Sequence, residues 1–534
     1  MTFPARLRAL DVKKKRVLTL GVGAVVIAVL FAVRTAARPG QMLLFLYNLG
    51  FSPDVSGPLY DYETGIVLLL SAVVFGTFAL LIGRELRPER LFPALAGVFG
   101  LFFLFTITLI SVPDEVTHFE AIVELTNRLF GSPCDASIAD FTGFTNHNNV
   151  CTGYLRIINE LGGHLPPHPD SSSSVYDVDT LSTMWTLTYA LEYLPQVLGF
   201  ALARLCAFNG VTTFMLGRFF NLLFYVACLA LAIRLAPRFK VTFGLAGLVP
   251  MALQQAASLS YDNFITSLSL VLFAAMLRVI LSDGDKAAER LAFVMIFVSA
   301  VLLAPAKVIY IAFILLFPFI PRERFPGRIT KSACFALLIA ACAAAFAVIS
   351  VPSLVRIMHS TPPSFGAQGG EKYTLAFFLT NPGDAFGIFK NTFNVSFSTW
   401  VAQCIGQSLS TCNLELPTWI VPTLIVLLVL SAQNVDREEF SLPRGMRAVL
   451  AAIVFAVAVT FMLTMFLTWI RNTDKIIVGV QGRYFTPVVT AALVASHGSL
   501  VHLQRDVSRG LTVLTVLLLA RTVLAIVEYT MFNV

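Results

Sequence analysis

The stretch LFPALAGVFGLFFLFTITLI, residues 91–110, leads directly into SVPDEVTHFEAI, residues 111–122. The first segment has no charged residue and is long enough, as a helix, to span roughly 30 Å of hydrocarbon. The second segment presents three carboxylates and His118 within ten positions. The boundary between them therefore poses the main question of this sequence: the acids either start the next helix or act chemically at a membrane surface.

The composition of the whole chain agrees with a membrane location. Hydrophobic residues make up 57% and charged residues 13%, against roughly 25% charged in a typical soluble domain. Mean hydropathy is +0.79, and apolar runs of about twenty residues recur along the chain. Backbone within lipid must satisfy its own hydrogen bonds, so these runs predict helices. We expect an all-α polytopic membrane protein. A nucleic-acid partner is not expected, because the net charge of +7 reflects membrane orientation.

The apolar runs predict thirteen membrane-spanning helices. They cover residues 17–33, 65–83, 91–110, 212–233, 241–259, 263–281, 291–306, 308–320, 332–350, 416–432, 448–470, 484–503 and 511–529. The chain then divides into five parts: three N-terminal spans (1–110), a first large loop (111–211), the central spans (212–350), a second large loop (351–415) and four C-terminal spans (416–534).

Lysine and arginine positions predict the orientation. With a cytoplasmic N-terminus, and with the apolar segment 186–207 not crossing, the inner segments hold 24 of these residues and the outer ones 12. If residues 186–207 crossed, the inner count would fall to 16 and the outer would rise to 20. The positive-inside rule favours the first arrangement. We therefore expect a plasma-membrane protein with both large loops outside and residues 186–207 forming a juxtamembrane or re-entrant helix.

Two pairs of cysteines lie in the predicted outer loops. Cys134 and Cys151 share the first loop, and Cys404 and Cys412 share the second. Each pair could form a disulfide in an oxidising compartment. Four free thiols are the alternative.

The acids after the third span have two interpretations. Asp114 and Glu115 follow Pro113 and have the pattern of a helix start, with Asp114 as the N-cap. The apolar spacing that follows predicts an amphipathic surface helix, and His118 lies four residues from Asp114 on the same face. Alternatively, Asp114 is a general base at the membrane surface, with its basicity tuned by Glu115.

Other ionisable residues lie at predicted span ends. Asp262, in a short outer turn, is either a helix cap or a second functional acid. Lys307 and Arg483, with Tyr484 beside it, either snorkel to water or bind a phosphate group. Arg218, seven residues into its span, raises the same question.

A metal site has only weak support in the sequence. Asp177 and Asp179 form a D-x-D pattern of the kind that holds a divalent cation with a sugar phosphate. Three-letter patterns of this kind are common by chance. No cofactor is certain, although a divalent metal stays compatible with this pattern.

The sequence P-D-E-x-x-H-F at 113–119 resembles the hallmark of a bacterial family of predicted membrane proteins of unknown function, within the type C glycosyltransferase superfamily. Further agreements are EYLPQVLG (192–199), GRFFNLL (217–223), ASLSYDN (257–263), APAK (304–307) and QGRY (481–484). Their order and spacing extend the resemblance over most of the chain after residue 110.

The resemblance implies a polytopic enzyme that takes a sugar from a polyprenyl-phosphate donor. An acid in the first large outer loop would be the catalytic base, and juxtamembrane helices would follow it. We therefore expect transfer to a cell-envelope glycan, lipid or protein on the outer face. A transporter or flippase for a lipid-linked glycan and a non-catalytic envelope assembly protein are the alternatives. The sugar, the acceptor, the stereochemical outcome and the oligomeric state are not encoded in any pattern of the sequence.

Overall fold

The computed structural model describes residues 11–36, 57–83, 85–109, 111–131, 190–208, 210–281, 284–325, 330–359, 372–410, 414–434, 442–498, 503 and 505–532. These parts of the chain are almost entirely helical. The α-helices are α1 (Val12–Ala36), α2 (Gly57–Leu81), α3 (Pro88–Thr106), α4 (Glu115–Leu129), α5 (Leu194–Leu205), α6 (Gly210–Leu235), α7 (Lys240–Ala246), α8 (Pro250–Ala256), α9 (Asp262–Ile280), α10 (Lys286–Ala306), α11 (Lys331–His359), α12 (Leu375–Thr380), α13 (Pro382–Ile405), α14 (Ile420–Gln433), α15 (Arg444–Thr468), α16 (Val489–Ala495) and α17 (Ser508–Phe532). Three 3₁₀-helices cover Val308–Phe319, Arg322–Arg324 and Gly482–Val488.

Nine helices among the described residues are long and apolar enough to cross a membrane. They are α1, α2, α3, α6, α9, α10, α11, α15 and α17. The prediction of an all-α polytopic membrane protein is therefore confirmed, but the predicted count of thirteen spans is not.

Four predicted spans have a different form in the structure. The predicted span 241–259 is two short helices, α7 and α8, and Pro250 begins the second one. The predicted span 308–320 is mostly a 3₁₀-helix, and 484–503 divides between a 3₁₀-helix and α16. The predicted span 416–432 corresponds to α14, with 14 residues. Hydropathy does not register such interruptions, whereas proline removes a backbone donor and breaks a continuous helix.

Helix α9 is at the centre of the bundle. Every residue from Asp262 to Val279 is buried, as expected for a helix that is apolar on all sides. Helices α6 and α10 pack against it, and α6 also packs against α3 and α5. Asp262 is the first residue of α9, so its carboxylate lies at one end of the bundle. Asp114 lies at the same end, because Arg483 contacts both acids. We call this end of the bundle the Asp114 end.

Two short helices cover the Asp114 end. Helix α4 is amphipathic as predicted, with Phe119 and Val123 buried and the ion pair Glu124–Arg128 on another face. Helix α5 has 12 residues and reaches about 18 Å, which is too short to cross a membrane. The prediction that residues 186–207 do not form a span agrees with this length.

The predicted second loop, 351–415, is largely helical where it is described. Helix α11 continues to His359, and α12 and α13 follow after residue 371. A short antiparallel hairpin then pairs β1 (Ser408–Leu409) with β2 (Leu414–Glu415). Helix α13 packs against the 3₁₀-helix Gly482–Val488. The sequence did not predict these helices, because polar residues lower hydropathy without preventing helix formation. The position of this segment outside the membrane stays a prediction.

Candidate functional site

Four charged side chains from distant parts of the chain meet at the Asp114 end. We call Asp114, Asp262, Lys307 and Arg483 the charge cluster. Lys307 Nζ lies 2.6 Å from Asp262 Oδ1, and Arg483 Nε lies 3.5 Å from Asp262 Oδ2. The Arg483 guanidinium also forms an ion pair with Asp114 Oδ2. Arg483 therefore lies between two carboxylates, one buried and one exposed.

Asp114 occupies the N-cap position of α4 but does not act as a cap. Its φ is 62°, in the left-handed region, and its side chain makes no capping hydrogen bond. Aspartate tolerates this conformation better than most residues. The side chain instead reaches Arg483, and Arg483 Nη1 also donates to the Pro113 carbonyl at 3.2 Å. The interpretation of Asp114 as a simple helix cap is therefore wrong.

Asp262 is likewise not a cap, because it is the first residue of α9 and Tyr261 occupies the N-cap position. Side chains from two of the motifs quoted above form hydrogen bonds with the backbone of the turn before Asp262. Gln196 Nε2 donates to the carbonyls of Leu259 and Ser260, and Asn221 Nδ2 donates to those of Ser258 and Ser260.

Asn263 reinforces the same turn from within α9. Its side-chain amide donates to the backbone and side-chain oxygens of Asn221. Sequence reasoning did not single out Gln196, Asn221 or Asn263, although each lies in a quoted motif. Their shared task is to fix the backbone that presents Asp262.

Lys307 does not snorkel to water, as one interpretation of the sequence proposed. Its side chain is 18% exposed and contacts Asp262. Its Nζ also lies 5.0 Å from the ring centre of Tyr261 and 4.9 Å from that of Tyr484, within the range of cation–π attraction. Lys307 lies between α10 and the 3₁₀-helix Val308–Phe319, as the C-cap residue of the first and the N-cap residue of the second.

The backbone just before Arg483 packs closely against the backbone of α13. A Cβ atom on Gly482 would lie 2.3 Å from the Gln403 side chain and 2.7 Å from the Trp400 carbonyl, so only glycine fits there. Gln403 Oε1 accepts a hydrogen bond from the Gly482 amide at 3.1 Å. Tyr484, predicted to bind substrate, accepts a hydrogen bond through its carbonyl from the Tyr310 hydroxyl.

Glu115 and Arg218 form a second ion pair that is closed to solvent. Arg218 donates to Glu115 from Nε at 2.9 Å and from Nη2 at 2.7 Å, and both side chains are fully buried. Arg218 also donates to the carbonyls of Ile107 and Thr108, and Glu115 accepts from the Leu259 amide. The predicted catalytic role of Glu115 and the predicted substrate contact of Arg218 need revision, because these groups are engaged in packing α4 against α6.

His118 lies beside the charge cluster as a neutral side chain. Its Nδ1 is 2.7 Å from the Tyr193 hydroxyl, and its ring meets Tyr261 edge-on. Burial lowers the pKa of His118 to about 4 and outweighs the opposing effect of the Asp262 carboxylate. At neutral pH, His118 is therefore a hydrogen-bonding group and not a cation.

No cluster of metal-ligating side chains occurs within the described ranges. Asp177 and Asp179 lie outside them, as do Cys134, Cys151 and Cys412. Cys404 is a free cysteine, buried in the last turn of α13. The structure therefore shows no disulfide at Cys404, and its predicted partner, Cys412, is not among the described residues.

The fold and this cluster together define a multi-pass α-helical membrane protein with an ionic site at one end of its bundle. Residues 98–492, nearly three quarters of the chain, match the family described as "Predicted membrane protein (DUF2142)". The chain belongs to this family. Comparison with curated proteins and with solved structures gave no match.

Proposed function

We propose that the protein is a glycosyltransferase that moves a sugar from a polyprenyl-phosphate donor to a cell-envelope acceptor on the outer face of the plasma membrane. The observation that carries the proposal is the position of Asp114. Its side chain is 59% exposed, yet it contacts an arginine that is only 5% exposed. A solvent-facing carboxylate thus borders a buried pair of cations.

Lys307 and Arg483 are suited to bind the phosphate group of a lipid donor. Arginine binds phosphate oxygens through a planar fork of donors, and lysine adds a point charge. Arg483 and Lys307 are compensated here by Asp262 and Asp114, so the cluster is neutral overall. A phosphate that enters the cluster competes with Asp114 for Arg483, because Asp114 is its most exposed partner. Donor binding would thereby release the carboxylate for catalysis.

The released carboxylate then has a defined chemical task. Asp114 takes the proton of the acceptor hydroxyl as the oxygen attacks the anomeric carbon of the sugar. The bond from that carbon to the phosphate oxygen breaks, and its electron pair leaves with the lipid phosphate. Lys307 and Arg483 stabilise this leaving group. One displacement without a covalent intermediate inverts the anomeric centre.

An apolar groove near the end of the segment that contains Arg483 could hold the lipid part of the donor. It encloses about 540 Å³ between α13, α14, α15 and the segment that contains Arg483. Its aromatic lining consists of Phe393, Phe397, Trp400, Phe455 and Phe485. Phe485 follows Arg483 by two residues, so this groove is our candidate for the hydrocarbon chain of the donor.

A transfer assay with the purified protein tests the proposal. Proteoliposomes receive polyprenyl-phosphate lipids with radiolabelled hexoses or pentoses, together with a cell-envelope extract as acceptor. We expect label to leave the lipid fraction and enter the acceptor fraction. We expect Lys307→Gln to weaken donor binding about 10- to 100-fold, the range of a lost charge-assisted hydrogen bond.

Lys240→Gln is the matched control, because Lys240 also pairs with an acid, Glu89, but joins the start of α7 to α3. It should transfer sugar at the wild-type rate. If labelled donor crosses the bilayer with its sugar–phosphate bond intact and no product forms, the protein is a transporter and the proposal is wrong.

A further inference from the structure

Glu192 is a buried acid that the proposed reaction does not use. It lies two residues before α5 and is 1% exposed. Neither of its carboxyl oxygens has a hydrogen-bond partner among the described residues. An isolated buried carboxylate is costly, so a carboxyl group at such a position is neutral or meets a ligand.

Glu192 is connected to the charge cluster through its neighbour Tyr193. The Tyr193 hydroxyl holds Nδ1 of His118, and the rings of Tyr193 and Tyr261 lie 5.7 Å apart. Nε2 of His118 is also buried without a hydrogen-bond partner in the described part of the chain. Two unpartnered polar groups therefore lie near the cluster, one on α4 and one before α5, and each is close enough to Lys307 to interact with its charge.

Both groups are uncharged near pH 7. Burial raises the pKa of Glu192 to about 8, against the smaller opposing effects of its own backbone amide and of the positive charge of Lys307. Burial lowers the pKa of His118 to about 4. Among the described residues, the titratable and charged groups near this pair are Tyr193, Asp114, Tyr261, Asp262, Lys307 and Arg483.

Neutral groups of this kind suit hydroxyls and not anions. A protonated carboxyl both donates and accepts a hydrogen bond, and a neutral imidazole nitrogen does one or the other. Binding pockets commonly fix ligand orientation with a few polar groups of this type. The phosphate would instead be held by Lys307 and Arg483, which carry full charges.

We propose that Glu192, together with His118, forms a subsite that recognises the hydroxyl groups of the transferred sugar. This inference rests on the proposed function and adds to it the part of the site that selects the sugar. In it Glu192 is a substrate-binding residue that acts through hydrogen bonds, without transferring a proton in the reaction.

Binding of two matched lipids tests the inference. One is a polyprenyl phosphate, and the other is the same lipid with a hexose or pentose attached. The wild type should bind the sugar-bearing lipid about 10- to 100-fold more tightly, since its hydroxyls satisfy groups that are otherwise unpaired. Glu192→Leu should lose most of this preference, with His118 contributing what is left, while keeping the wild-type affinity for the bare lipid phosphate.

Glu192→Gln keeps the neutral hydrogen-bonding character and the size of the side chain. It should retain the preference, and it should keep it above pH 8, where the wild type loses it as Glu192 ionises. Glu89→Gln, an acid on α3 outside this site, should match the wild type at every pH.

The inference would be overturned if Glu192→Leu kept the full wild-type preference for the sugar-bearing lipid. It would also be overturned if this preference depended on pH in the same way in the wild type and in Glu192→Gln. A merely structural role of Glu192 would change the melting temperature and not the difference between the two lipids. Failure of the proposed function has a separate signature: the wild type would bind the sugar-bearing lipid and discriminate it, but transfer no sugar.

Discussion

Asp114 and Glu115 are adjacent carboxylates, and each pairs with an arginine from a distant segment. The Glu115–Arg218 pair is fully buried, and its remaining donors and acceptors contact backbone groups. The Asp114–Arg483 pair joins a 59% exposed carboxylate to a 5% exposed guanidinium. Neighbouring residues at the start of α4 thus form two different ion pairs. The Glu115–Arg218 pair is closed to solvent, whereas the Asp114–Arg483 pair is open to solvent on the Asp114 side.

The difference shows why an ionisable residue at a membrane boundary cannot be assigned from its type alone. A closed pair with every hydrogen-bonding atom engaged contributes to the definition of the fold. An open pair contributes little to stability but keeps a charged group ready for exchange. The following predictions test this contrast, in order of decreasing effect on stability.

Breaking the closed pair should cause the largest loss of stability. Arg218→Met leaves the Glu115 carboxylate buried without its partner, which typically costs about 3–5 kcal/mol. The melting temperature in detergent, followed by size-exclusion chromatography, measures the loss. The double variant Glu115→Leu/Arg218→Met is the control, and it should recover part of the stability because no charge stays buried. A wild-type melting temperature for Arg218→Met would contradict the assignment of this pair.

Removing the ionisable group at position 192 should change how stability depends on pH. The folded-state pKa of Glu192 is raised to about 8, so the folded protein keeps a proton that the unfolded chain releases near pH 4.5. The contribution of Glu192 to the free energy of unfolding is therefore fully present below pH 4.5 and is lost as pH rises to about 8.

The cleanest window for this measurement is pH 6.5–8. His118, with its lowered pKa of about 4, makes stability rise with pH only below its unfolded pKa near 6.5. Within the window, the wild type should lose up to about 2 kcal/mol through Glu192, whereas Glu192→Gln should not. Parallel melting curves for the two proteins across this window would contradict a buried, ionisable Glu192.

Asp114→Asn should have the smallest effect on stability. Its side chain is largely exposed, and the buried Arg483 keeps Asp262 as a second partner, so the loss should be smaller than the roughly 3–5 kcal/mol of breaking a fully buried pair. Melting experiments on Asp114→Asn and Glu115→Gln, which are identical chemical changes at neighbouring positions, compare the two pairs directly. Equal losses in the two variants would remove the distinction between them.

Much of the charge cluster could be predicted from the sequence. Asp262, Lys307 and Arg483 are isolated charges between apolar runs, and such charges are costly unless they find partners at the same depth. Lys307 and Arg483 both contact Asp262, whereas their binding of a phosphate group stays a prediction. That they meet around a carboxylate could not be predicted, because it depends on how α9 packs between α6 and α10.

Other features could not be read from the sequence for physical reasons. Glu115 looked like a partner of Asp114 in catalysis because the two are adjacent, but the left-handed backbone at Asp114 directs the side chains to different partners. Glu192 was assigned no role from the sequence. Its unpartnered burial emerges only when α5 packs against α4 and α6. Hydropathy likewise predicted thirteen continuous spans, since it does not sense the proline-containing 3₁₀-helices at 308–319 and 482–488.

The most direct test of the account is sugar transfer by Asp114→Asn, with Asp474→Asn as the matched control. Asp474 caps a turn through the Arg471 amide and lies outside the charge cluster. We predict that Asp114→Asn folds normally, binds the polyprenyl-phosphate donor and transfers sugar about 10²–10⁴-fold more slowly, as expected for the loss of a general base, whereas Asp474→Asn transfers at the wild-type rate. Near-normal transfer by Asp114→Asn would contradict the account, because it would show that the exposed carboxylate of the cluster is not the base.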